Sequence, residues 1–219
     1  MGKIMVIDGL DGCGKSTQLD MLDMALRERG VHYRQISFPD YAQPSSALVK
    51  MYLGGELGGS PAAVNAYAAS SFYAVDRYAS YKCFWQEDYE ANVPIVAARY
   101  TTSNAIHQMT KCPEDQWDAF LEWLEDYEYN LLGLPRPDKV LFLDMPPEVS
   151  QKLLEKRYDG DCEKKDIHER DREYLLNCRR AAFYVAEKWG WTIISCSRDG
   201  EPLSPQEIHA RILNCYFEL

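Results

Sequence analysis

The sequence predicts an α/β domain: a parallel sheet covered by helices on both faces. Three observations lead there. Short apolar runs of strand length alternate along the chain with longer stretches of helical spacing. The first run opens directly into a glycine-rich turn, GLDGCGKST, which in turn opens a helical pattern. The 219 residues, 46% hydrophobic and 26% charged, contain no internal repeat or low-complexity linker, so a single core is expected over residues 1–219.

The elements follow in order. Lys3 to Asp8 (KIMVID) reads as a buried parallel strand, because it is apolar without alternation. From Lys15 to Arg29, Leu19, Leu22, Met24 and Leu26 recur at near-helical spacing, and Gly30 closes that helix. Tyr33 to Phe38 is a second strand, stopped by Pro39, and Asn92 to Ala98 carries a third. Lys139 to Asp144 (KVLFLD) is the fourth and Trp191 to Cys196 the fifth. Helices are expected over Ala62 to Tyr89, Pro113 to Asn130, Pro147 to Lys156, Ile167 to Trp189 and Pro205 to Phe217. The charged segment Arg157 to Asp166 leaves two readings open, a solvated loop or a lid that closes over phosphates.

Composition narrows the function. A formal net charge of −10 argues against polymeric nucleic acid, whose binding draws most of its affinity from a basic surface. No apolar run reaches the roughly 20 residues of a membrane-spanning helix, and the N-terminus lacks a signal-peptide pattern. The seven cysteines are scattered without a C-x-x-C pair, which suits reduced thiols rather than a disulfide framework or a zinc site. A cytoplasmic protein is expected. Cys13 stands apart because it lies in the glycine-rich turn near a helix start, where a thiol pKa tends to fall.

Gly9, Gly14, Lys15 and Ser16 fit G-x-x-x-x-G-K-[ST], the phosphate loop. Glycines let backbone N–H groups turn inward around phosphates, and the following helix aims its positive end at them. Gly9, Gly12, Cys13, Gly14, Lys15, Ser16 and Thr17 are therefore the candidate ATP-binding residues. Lys15 would reach the terminal phosphates, and the Ser16 hydroxyl would bind Mg²⁺. The loop defines a nucleotide but not a reaction.

Three clusters bear on the second substrate. Phe38-Pro39-Asp40-Tyr41 lies at the carboxyl end of a strand, where open α/β sheets bind ligands. Tyr73 and Arg77 are four apart on one helix and share a face, as a stacked base and a neighbouring cation would require. Arg99 to His107 follows the third strand directly; Arg99 can pair with a phosphate and Asn104 can hydrogen-bond a base edge. Each cluster alone also fits ordinary core packing or a loop.

Together these motifs resemble the thymidylate kinase family from Lys3 to about Trp191. G-x-D-G-x-G-K-S-T, F-P-x-Y, aromatic-x-x-D-R, R-Y-x-x-S-N, L-D-x-P-P-E at Leu143 to Glu148 and D-x-x-E at Asp166 to Glu169 occur in the family's order. The resemblance implies a P-loop NTPase three-layer sandwich with a five-stranded parallel sheet and a mobile lid near residues 157–167. It implies transfer of the γ-phosphoryl of ATP to dTMP with Mg²⁺. By position, Asp11 would hold the 3′-hydroxyl of the deoxyribose. Phe38, Tyr41, Arg77 and Arg99 would bind the acceptor phosphate or flank the base, and Tyr73 would stack on thymine. Ser103 and Asn104 would read the base edge, and His107 would crowd the 2′ position. In the lid, His168 would close over the acceptor and Glu169 over the metal, with Lys156, Arg157, Lys164 and Lys165 as phosphate-side cations. Catalysis would rest on Lys15, Arg99, Asp11 and Glu169. The family is usually homodimeric, and Ala66, Ala68, Ala69 and Ala74 offer small side chains for a partner helix. A polar base edge separates acceptors by ~10⁴ or more but a methyl by only about 10–200-fold, so dCMP should be rejected firmly and dUMP weakly.

The chain departs from the pattern at Ala98, where the family carries Asp before Arg, and at Asp40, where a basic residue is frequent. Loss of one charged group beside transferring phosphates costs on the order of 10²–10³ in rate. Either the enzyme is slow, or Asp8 or Glu169 compensates, or the alanine is an introduced change. Two rivals stand beside the kinase reading: a deoxynucleoside kinase, disfavoured by two acceptor-site arginines, and a nucleotide-binding protein without catalysis, supported only by Ala98.

Overall fold

Every apolar run expected as a strand is one in the computed structural model, which describes residues 1–157 and 172–219. These are β1 (Ile4–Gly9), β2 (Arg34–Ser37), β3 (Ile95–Ala98), β4 (Lys139–Asp144) and β5 (Thr192–Ser195). They pair in parallel in the order β2-β3-β1-β4-β5. All six residues of β1 are buried, as a central strand covered on both faces demands. The edge strand β2 buries only Ile36.

Side-chain alternation divides the core in two. Ile4, Val6, Ile95, Ala97, Val140 and Phe142 pack on one face of the sheet. There they meet α5 (Thr101–His107), α6 (Trp117–Glu125) and α8 (Arg172–Trp189) through Ile106, Phe120 and Val185. Met5, Ile7, Val96, Ala98, Leu141 and Leu143 pack on the other. That face carries α1 (Lys15–Glu28), α7 (Pro147–Arg157) and α9 (Pro205–Phe217), through Leu22, Val149 and Ile212. Fully burying each such side chain stabilises the fold by about 1.5–3 kcal/mol.

The structure divides several expected helices. The stretch expected from Ala62 begins at α3 (Ala66–Ser80), where the Asn65 side chain accepts the Ala68 N–H as an N-cap. One π-helical turn, Tyr81–Trp85, then leads into α4 (Gln86–Glu90). Similarly, α6 is flanked by a 3₁₀ turn and a π turn. Two short helices were not expected, α2 (Ala47–Leu53) and α5. A hairpin pairing Ser197–Arg198 with Glu201–Pro202 was also missed, although Asp199-Gly200, both at positive φ, is a recognisable tight-turn pair. Gly30 ends α1 at φ 67, as expected of a helix-terminating glycine.

The small residues assigned to a partner helix are corrected by their burial. Ala66, Ala69 and Ala74 are buried in the chain's own core, and Ala68 is half-buried. The outward face of α3 carries Tyr67, Val75 and Tyr78 instead.

Candidate active site

The phosphate loop leaves β1 at the centre of the sheet, at the carboxyl ends of the strands. Gly9 admits no side chain: a Cβ would stand 2.6 Å from Cys13 Sγ and 2.8 Å from the Leu143 carbonyl oxygen. Gly14 sits at φ 92 and starts α1 without any side-chain cap or first-turn acid. The first amides of α1 thus open toward the loop, the arrangement that receives an anion. Lys15 Nζ donates to the carbonyls of Gly9 and Leu10, both at 2.8 Å. Ser16 and Thr17 lie exposed at the helix start. The Cys13 thiol is buried in the α1-facing core, and its N–H closes a turn on the Leu10 carbonyl at 3.3 Å.

On the α5 side of the loop lies a cavity of about 300 Å³. The loop contributes Asp11, the turn after β2 contributes Phe38 and Tyr41, and α3 contributes Tyr73 and Arg77. Arg99, Ser103, Asn104 and His107 complete the expected set from the β3–α5 segment. Asp76 of α3 fixes the turn by accepting the Asp40 N–H at 2.8 Å and the Ser45 hydroxyl at 2.6 Å. Lys164, Lys165, His168 and Glu169, and the side chains of Lys156 and Arg157, lie outside the described residues.

The polar groups arrive with partners. Arg77, though it lines the cavity, is buried and bonded to Glu128 through Nε and NH2 at 2.7 and 2.6 Å, and donates to the Tyr100 carbonyl at 3.2 Å. Burial alone would lower its pKa; the Glu128 carboxylate overcomes this by Coulomb attraction and hydrogen bonding, and the net shift is upward. Asn104 Nδ2 donates to the Ser70 carbonyl at 3.1 Å and to Glu128 Oε1 at 2.9 Å, which spends both amide hydrogens. Its remaining capacity is as an acceptor.

Arg99 is the hinge of the site. Its backbone is in the left-handed region at φ 60, a strained choice for a non-glycine residue, and its N–H is tied to the Ile7 carbonyl at 3.1 Å. The guanidinium bonds the Asp11 carboxylate, lies 3.9 Å from Asp8 and donates to His107 Nε2 at 3.1 Å. Because Arg can only donate, that ring nitrogen is the acceptor and Nδ1 faces the Tyr174 hydroxyl, 3.2 Å away.

Asp8 answers the question left by Ala98. It is fully buried and accepts the Gly9 N–H at 2.8 Å and the Thr102 and Ser103 hydroxyls at 2.7 Å each. Ala98 pairs with Ile7 and faces α1, whereas Asp8, one residue on, faces α5. Asp8 therefore supports Arg99 and the start of α5, and does not enter the space beside Ala98 under the phosphate loop.

Ser37, Leu53, Gln108 and Tyr174 line the cavity without a place in the sequence-based site, and the last two are polar groups deep in it. Gln108 has a buried side-chain oxygen with no partner among the described residues, and Tyr174 comes from α8, more than sixty residues downstream of the α5 segment it meets. Helical spacing from Asn104 puts Gln108 on the same face and could have signalled it. Nothing local in the sequence signals Tyr174.

A phosphate loop and a separate nucleotide-sized cavity, joined by one arginine, define a P-loop kinase acting on a small acceptor. A family model described as thymidylate kinase matches residues 7–208. The chain belongs to the thymidylate kinase family. It is 29% identical over 203 residues to the thymidylate kinase of Mycobacterium tuberculosis, covering 90% of this chain and 92% of the relative. It is 25% identical over 178 residues to that of Danio rerio, covering 80% and 77%. A solved structure of thymidylate kinase from Candida albicans shares the fold, with a TM-score of 0.69 at 18% identity over 99% of this chain and 92% of the other.

Proposed function

We propose that this chain transfers the γ-phosphoryl of ATP to dTMP, with the acceptor in the cavity between Asp11, Tyr73 and Gln108. The observation that carries the reading is Arg99, which joins the phosphate loop to that cavity. A phosphate dianion entering beside Arg99 would compete with Asp11 for the guanidinium, and the released Asp11 carboxylate would meet the sugar 3′-hydroxyl. Lys15 would exchange two neutral carbonyls for the donor's phosphates, a stronger charge-assisted partner. Tyr73 would stack on the base. Arg77 and the amides of Asn104 and Gln108 would match an edge that both donates and accepts, as the thymine N3–H and O4 do. His107 and Tyr174 would close the 2′ side.

Ser16 fits a magnesium ion by its chemistry: it is an exposed oxygen donor at the start of α1, and Mg²⁺ takes one or two protein oxygens beside phosphates and waters. The ion would supply charge neutralisation at the transferring group, with Glu169 as the second candidate donor. The exposed Tyr67, Val75 and Tyr78 of α3 would seat a second copy, giving a homodimer working in the cytoplasm.

The test is ADP release with ATP and Mg²⁺ against dTMP, dUMP, dCMP, dGMP and thymidine, on the native chain and on Ala98→Asp. Turnover is expected with dTMP, weaker with dUMP and at background with dCMP. Ala98→Asp should raise kcat, by up to about 10²–10³-fold if the missing carboxylate limits the rate. Absence of dTMP turnover in both proteins, or thymidine as the better acceptor, would overturn the reading.

A further inference from the structure

A short 3₁₀ turn, Met109–Lys111, follows α5, and its last residue carries a cation into the protein. Lys111 Nζ donates to the Tyr52 hydroxyl of α2 at 2.8 Å and to the Val64 carbonyl at 2.9 Å. It also stands 4.7 Å from the centroid of the Tyr52 ring. Two neutral oxygens and an aromatic ring meet this charge, and no carboxylate does so among the described residues. Burial accordingly lowers its pKa. A half-buried lysine without an anion is a poor stabiliser, because desolvation of the charge offsets what its hydrogen bonds contribute. Its use lies in what it joins.

The groups it joins surround the base side of the acceptor cavity. Val64 immediately precedes Asn65, the N-cap of α3. Tyr52 is buried, with its ring edge-on to Tyr73 at a centroid distance of 6.4 Å and tilted against Phe72 at the same distance. Tyr73 lines the cavity, and so does Leu53, the neighbour of Tyr52. The Lys111 N–H is bonded to the carbonyl of Gln108, another lining residue, at 3.1 Å. Between α2 and α3 the chain carries Gly54, Gly55, Gly58 and Gly59, too permissive a connection to fix the two helices against each other. One ammonium therefore ties α2, the start of α3 and the end of α5 together.

We infer that Lys111 is a positioning residue for the acceptor: it holds Tyr52 against Tyr73 and so fixes the aromatic face on which the base of dTMP stacks. This rests on the reading of that cavity as the dTMP site. Lys111 itself does not line the cavity, and it reaches the substrate only through the Tyr52 and Tyr73 rings. Its removal weakens acceptor binding and leaves the phosphate loop and the transfer step alone.

The experiment is steady-state kinetics on the full chain, varying dTMP and ATP in turn, for the native protein, Lys111→Met, Tyr52→Phe and the double variant. Lys111→Met should raise the KM for dTMP about tenfold, the worth of one to two hydrogen bonds. Its kcat and its KM for ATP should stay within about twofold of native. A merely structural role would instead reduce the folded fraction, which lowers kcat and leaves the KM for dTMP unchanged. Tyr52→Phe keeps the ring and removes only the hydroxyl, so it serves even where Lys111→Met folds poorly. It should raise the same KM by about threefold alone, and by less than about twofold in the Lys111→Met background. A dTMP KM within about twofold of native in both single variants, an equal rise in the KM for ATP, or fully additive effects would overturn the inference. Calorimetry with dTMP runs in parallel. Native binding of dTMP that weakens in Lys111→Met, without turnover in either protein, upholds the inference and removes the kinase reading alone. Failure of the native chain to bind dTMP removes both.

Discussion

Removing one member of the Arg77–Glu128 pair is the sharpest test of how the acceptor wall is built. The two side chains are 1% and 0% exposed, with two hydrogen bonds of 2.6 and 2.7 Å between them. Glu128 Oε1 also receives Asn104 at 2.9 Å. Glu128→Gln leaves the guanidinium buried against a neutral amide, half of which presents donors to it. Breaking such a pair from one side costs about 3–5 kcal/mol, because a buried charge loses its compensation. At about 2–4 °C per kcal/mol for a chain of this length, the melting temperature should fall by about 6–20 °C. Replacing both partners with apolar residues removes the charge rather than stranding it. Arg77→Met/Glu128→Leu should therefore be more stable than the sum of the single variants by at least about 2 kcal/mol, even with Asn104 Nδ2 and the Tyr100 carbonyl losing a partner. The assay is urea unfolding followed by circular dichroism on the four members of the cycle. Single variants costing under about 1 kcal/mol, or an additive double variant, would refute the claim that the pair acts as one buried unit. Glu128 does not line the cavity, so an accompanying rise in the dTMP KM would reach the substrate through Arg77 and Asn104.

Two further outcomes follow from the charges around the site. Lys111 Nζ donates to the Tyr52 hydroxyl at 2.8 Å and the Val64 carbonyl at 2.9 Å, and burial lowers its pKa from 10.5 to about 8. The folded pKa lies below the unfolded one, so between pH 8 and 10.5 the unfolded chain holds the extra proton and this group's contribution to stability rises with pH. The difference in unfolding free energy between the native chain and Lys111→Met should grow in the native chain's favour across that window and be flat below it. A flat difference throughout would refute the assignment. Asp8→Asn places amide hydrogens against the Thr102 and Ser103 hydroxyls and weakens the hold on Arg99. It should lose at least about 1.5–3 kcal/mol by urea unfolding and lower kcat/KM for dTMP, and an unchanged unfolding midpoint would refute the role given to Asp8.

The strands and the phosphate loop were legible in the chain because both are local. KVLFLD and KIMVID state their burial through uninterrupted apolar runs, and β4 begins and ends where the pattern does. The loop needs particular residues at fixed offsets, since Gly9 has no room for a side chain and Gly14 sits at positive φ. Spacing also placed Tyr73 with Arg77 and Arg99 with His107 in one cavity wall. Short helices such as α2 were missed because seven residues carry too little periodicity to separate them from a loop.

What only the tertiary structure decided is the partner of each polar group and the face on which it works. Arg77 reads from the sequence as a cation that binds the acceptor phosphate or flanks the base, and the partner that holds it in the cavity wall, Glu128, stands fifty-one positions away. Asp8 looked able to replace the carboxylate missing at Ala98, yet alternation along adjacent parallel strands sends the two side chains to opposite faces of the sheet. Ala66, Ala69 and Ala74 looked like a partner's contact and serve the chain's own packing. The physical reason is common to all three. Secondary structure follows from interactions a few residues apart, whereas desolvation, charge pairing and burial depend on which distant residues the fold brings within about 3 Å.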